Sequence, residues 1–78
     1  MVWLFERDAE SLRLYTSFDN DTYELVVTVH WPDGREQATR FTNLRAFGDW
    51  IKAFVATLER EHWIQEGSPV VLPDGYRV

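Results

Sequence analysis

His30 and Glu36 flank a Pro32-Asp33-Gly34 segment. If that segment turns the chain back on itself, imidazole and carboxylate become cross-strand neighbours, close enough to exchange a proton. Acid–base catalysis would also need a pocket and a third group to orient the base. Neither is legible around this pair, and an exposed polar pair on a sheet surface accounts for it. The second histidine, His62, falls on an apolar helical stripe and reads as a hydrogen-bonded residue at the edge of a core. The two histidines have no HxxxH or HExxH spacing, the arrangement that places two imidazoles on one metal. Asp19-Asn20-Asp21 begins like a calcium loop, but the central glycine and the glutamate at the twelfth position are missing. A turn explains these residues. The sequence also has no G-x-S-x-G, no phosphate-cradling glycine loop and no dinucleotide fingerprint. The residue types therefore predict no catalytic group, no cofactor and no metal.

The elements that carry these residues can be read from patterning. The 78 residues form one expected domain, 1–78, in which hydrophobic residues reach 45% and four tryptophans join five phenylalanines and three tyrosines. A chain of this size buries only about 60–65% of its unfolded surface, so some of that apolar material is expected at a contact surface. With no cysteine there is no disulfide framework and no thiolate site. Small secreted domains lean on disulfides, so the expected compartment is the cytoplasm. The opening MVWLFERD lacks the basic region and long apolar run of a signal peptide. No apolar stretch approaches the ~18 residues that would span a bilayer. A net charge of −5 opposes nucleic acid and anionic lipid surfaces as partners.

Residues 2–7 read as an apolar strand, and 12–18 alternate Leu12, Leu14 and Phe18 against Arg13, Tyr15 and Ser17. After the turn cluster Asp19-Asn20-Asp21-Thr22, residues 23–31 alternate again. Pro32 presets φ, Asp33 takes the second turn position and Gly34 supplies positive φ, so 35–41 return as a fourth strand. Thr42 or Asn43 can cap a helix over 43–63 with Leu44, Phe47, Ile51, Phe54, Val55, Leu58 and His62 on one stripe. Gly67, Ser68 and Pro69 read as its termination. Residues 68–78 repeat Pro-Asp-Gly at 73–75 and read as a short extended or hairpin tail. The fold class is α+β: a four-stranded antiparallel meander backed by one long helix, order β-β-β-β-α.

Turn lengths then suggest a register. Closing Phe18 on Tyr23, Phe5 on Leu14 and Leu25 on Phe41 puts Trp3, Phe5, Leu12, Leu14, Phe18, Tyr23, Leu25, Val27, Val29, Trp31 and Phe41 under the helix. Leu14, Val27 and Phe54 should be almost fully buried. The opposite face would carry Leu4, Tyr15, Val26 and Arg40 in one row, which is apolar for a solvated surface. A helix over 43–62 spans ~30 Å, about the length of the longest strands. Trp50 then sits on its flank, and Trp63 either leaves the stripe as a contact residue or folds back where the helix frays.

The expected role is a small, non-enzymatic interaction or regulatory module, a homodimer or a binder of another protein. Its candidate surface is Leu4, Tyr15, Val26, Arg40, Trp50 and Trp63 with Val71, Leu72 and Tyr76 of the tail. The alternative is a single-stranded nucleic-acid platform, with Tyr15 stacking on bases and Arg13, Arg40 and His30 around it. The order of four strands and one helix is similar to that of PUR-type repeats and Whirly domains. That likeness lies in the element order alone and implies such a platform. Glu6, Glu24 and Glu36 on the same face cancel its basic residues.

Overall fold

The computed structural model describes residues 1–67. The expected tail, with Val71, Leu72, Tyr76 and the turn at Pro73-Asp74-Gly75, lies outside the described residues. Strands β1 (Val2–Arg7), β2 (Glu10–Asp19), β3 (Glu24–His30) and β4 (Glu36–Phe41) precede helix α1 (Leu44–Arg60), and a short β5 (Ile64–Gln65) follows it. They form one antiparallel sheet in the order β4-β3-β2-β1-β5, so the meander and the helix after it stand as the patterning predicts. β5 is an addition that patterning gave no sign of.

Turn chemistry sets the register. At the third turn the Gly34 N–H donates to the Trp31 carbonyl at 3.1 Å and Trp31 N–H donates to Arg35 at 2.9 Å. Gly34 has φ +91°, and Leu25 pairs with Phe41, both as expected. The first two turns differ from expectation. Arg7 pairs with Glu10, leaving only Asp8-Ala9 as the loop, with Asp8 at φ 54°. Aspartate tolerates this left-handed region better than most residues. Asp19 pairs with Glu24, and the loop closes through Tyr23 N–H to the Asp19 carbonyl at 2.8 Å, with Tyr23 itself at φ 59°. The consequence is a two-residue shift at both hairpins: Phe5 faces Leu12 rather than Leu14, and Phe18 faces Leu25 rather than Tyr23. A two-residue shift leaves every side chain on its own face, because the pleat repeats every two residues. The faces were legible; the rows across them were not.

The core gathers Phe5, Leu12, Leu14, Val27 and Val29 from the sheet with Leu58 and Trp63. Around it pack Trp3, Trp31, Phe41, Phe47, Trp50, Ile51, Phe54 and Val55. Three expected burials fail. Tyr23 is 77% exposed because the loop conformation takes it off the strand, and Phe18 beside it is 46% exposed. Phe54 is only partly buried, stacked on Trp50 at 4.9 Å and edge-on to Trp31 at 6.0 Å. Leu44, first on the helical stripe, is also exposed.

Asn43 caps α1 by accepting the N–H of Arg45 at 2.8 Å and of Ala46 at 3.1 Å. The helix stops well before Gly67. Its end is a Schellman turn: Trp63 N–H donates to Leu58 and His62 N–H to Glu59, with His62 at φ 70° in the place glycine usually takes. His62 is therefore an exposed turn residue rather than a member of the apolar stripe. The turn folds Trp63 back until only 4% of it is exposed, which removes it from the candidate contact surface. The Arg7 guanidinium lies 4.5 Å over the Trp63 ring and donates to the Glu61 carbonyl at 3.1 Å, fastening the helix end to β1. No helix among the described residues is long and apolar enough to cross a membrane.

Candidate functional site

With α1 on one face, the other face of the sheet displays the even-numbered residues of β1, β3 and β4 and the odd-numbered ones of β2. Pairing arranges them in three central rows, Leu4–Arg13–His30–Glu36, Val2–Tyr15–Thr28–Ala38 and Ser17–Val26–Arg40, with Glu6–Ser11 beyond the first and Asp19–Glu24 beyond the last. The expected single row of Leu4, Tyr15, Val26 and Arg40 is thus spread over three, a direct result of the two shortened registers. The residues still share one face. Val2 and Val26 are buried, Tyr15 half-buried, and Leu4 exposed. An apolar seam runs diagonally across the sheet and no described element covers it.

The charges around the seam are largely matched to one another. Arg40 donates to Asp19 at 3.0 Å and to Glu24 at 3.3 Å. Its guanidinium and the Asp21 N–H hold the Asp19 carboxyl below its ordinary range, and Asp19 and Glu24 raise Arg40 in turn. His30 Nδ1 lies 4.0 Å from Glu36 Oε2, so the expected pair exists as loose neighbours, and the Tyr15 ring meets the imidazole edge-on at 4.8 Å.

No family model matches the chain, and no curated protein or solved structure matches it significantly. The surface itself has to carry the functional argument.

At the β1–β5 edge, Glu6 and Glu66 are close enough for the Glu6 charge to push the Glu66 carboxyl upward. A shallow groove of about 660 Å³ beside them is lined by Glu6, Asp8, Glu61, Glu66, Arg7, His62 and Ile64. Among the described residues no three His, Asp or Glu side chains are grouped to hold a metal ion. Trp50, expected as a free flank, is partly occupied in stacking on Phe54 and in a tilted contact with Phe41. Sequence reasoning missed the Arg40 ion pairs and the exposed Ile64 on β5. Asp19 offered the one available signal, since an aspartate that opens a turn lies at a strand end, where a cross-strand arginine can reach it.

Proposed function

We propose that the chain is a small acidic protein-interaction module of the cytoplasm that acts as a homodimer, with the uncovered sheet face as its contact surface. The observation that carries this reading is the exposed Leu4 and half-buried Tyr15, continuous with the buried Val2 and Val26, on a face where Arg40 already pairs with Asp19 and Glu24. A surface of this kind gives up little charge solvation when a protein covers it, and the apolar area it buries contributes about 25 cal/mol per Å². The alternative platform for single-stranded nucleic acid has less support. The chain carries five net negative charges, and Glu6, Glu24 and Glu36 share this face with Arg13 and Arg40. Phosphate recognition depends on an excess of positive charge.

Light scattering over a range of concentrations, with amide exchange on the same samples, tests the proposal. A dimer mass with slowed exchange in the sheet supports it, whereas a monomer at every concentration overturns self-association. Salt-sensitive micromolar binding of a labelled oligonucleotide, lost in Tyr15→Ala, would replace it with the platform.

A further inference from the structure

β4 is an edge strand with no described neighbour on its outer side, while β5 shields part of the opposite edge. Which of its backbone groups face outward follows from one hydrogen bond. Trp31 N–H donates to the Arg35 carbonyl while the Trp31 carbonyl accepts the Gly34 N–H, so a hydrogen-bonded pair closes the ladder here with Gly34 donating in place of Arg35. Such pairs alternate along an antiparallel ladder. Gln37, Thr39 and Phe41 therefore turn their N–H and C=O groups toward β3, and Glu36, Ala38 and Arg40 direct theirs outward.

An open edge is normally guarded by charged side chains that make pairing with any other strand costly. Here the guards have opposite signs and stand symmetrically, Glu36 two residues before Ala38 and Arg40 two residues after it. They repel a mismatched strand and complement their own copy. The geometry points to a homodimer in which β4 pairs antiparallel with β4 of a second copy about a two-fold axis at Ala38. In that register the outward groups of Ala38 meet those of the other Ala38, and Glu36 of each chain lies opposite Arg40 of the other. Each of these pairs can exchange both backbone hydrogen bonds. Registers displaced by two residues keep the hydrogen bonds but lose the charge pairing, and displacement by one sets outward groups against inward ones. Ala38 suits the axis, because two identical side chains must share it and a methyl group leaves room.

The product is a continuous sheet of ten strands, five from each copy, with both apolar seams on one side. Arg40 can serve this pairing without leaving Asp19, since about half of its side chain is exposed. The inference rests on the homodimeric part of the reading above; it places the contact between copies at the β4 edge rather than on the sheet face, and leaves the joined seams open to a further protein partner.

Charge reversal tests it. Glu36→Arg alone and Arg40→Glu alone should each raise the dimer dissociation constant by about tenfold or more, because each sets like charges opposite each other. An equimolar mixture of the two single variants restores both pairs and should dimerise, as should the double variant. Circular dichroism on each variant separates lost pairing from lost folding. The chain has no cysteine, so Ala38→Cys supplies an independent readout: with diamide as oxidant it should form a disulfide-linked dimer, while Ser17→Cys, two strands inside the sheet, should not. A dimer indifferent to both charge reversals and to Ala38→Pro would overturn the β4 edge but leave self-association standing. A wild-type chain that stays monomeric would overturn both.

Discussion

The Trp63 N–H donates to the Leu58 carbonyl at 2.9 Å, and the two side chains belong to the same buried cluster. One turn thus both ends the helix and delivers an indole to the core, where it joins the cluster that holds Phe5, Leu12 and Leu58.

Trp63 should therefore behave as a core residue. Trp63→Ala should cost about 3–5 kcal/mol, the range for deleting a large buried aromatic. A urea titration checks this. A midpoint within error of wild type would show that the indole is held at the surface.

His62 occupies the left-handed position of the same turn. A β-carbon there is strained, and glycine is not. His62→Gly should stabilise the fold by about 0.5–1 kcal/mol, seen as a higher melting temperature with an unchanged circular dichroism spectrum. A lower melting temperature would mean that the imidazole contributes more than its backbone costs.

How much of this was legible depended on what each residue signals. Alternation of Leu12 and Leu14 with Arg13 and Tyr15 gave the faces, and Pro32-Asp33-Gly34 gave its hairpin down to the register, because glycine announces positive φ. Asp8 and Tyr23 hold positive φ without announcing it. Both neighbouring registers were therefore misread by two residues, and the rows of the open face with them. The helix end was legible only as two alternatives, a helix running on toward Gly67 or one fraying near Glu61 with Trp63 folded back, and His62, an ordinary residue in a glycine position, decides for the second. The open face was legible as a surface, since it needs only parity. Its internal ion pairing was not, because pairing needs register.

At Gly34 the backbone reaches φ +91°, where a side chain is poorly tolerated, although no atom would obstruct the β-carbon itself. Gly34→Val should destabilise the protein by about 1 kcal/mol or more through backbone strain alone. Gly48, in the helix and equally unobstructed, provides the contrast. Gly48→Ala should stabilise by up to about 1 kcal/mol, since alanine is the better helix former. Equal effects of the same sign at both positions in thermal melts would remove the turn from the explanation.

Acid should loosen the Arg40 pairs in a definite order. The Asp19 carboxyl is held below its ordinary range in the folded chain, mainly by the Arg40 guanidinium. Its contribution to stability is therefore complete above the unfolded value, about 3.9. It is lost as pH falls through the lower, folded value. Glu66 works in the opposite sense. Its carboxyl is pushed up, chiefly by the Glu6 charge, so its contribution is complete below the ordinary glutamate value of about 4.3 and fades as pH rises through the folded one. Two single substitutions separate these terms in melts across the acidic range. Asp19→Asn can keep the turn that accepts the Asp21 N–H while removing the charge, and should flatten the loss of stability at the most acidic end. Glu66→Gln should leave that end alone and remove the decline that begins above the glutamate value, with slower amide exchange in β5 near neutrality. If Asp19→Asn leaves the acid limb unchanged, Arg40 is held by Glu24 alone and the row that borders the apolar seam is less fixed than its geometry implies.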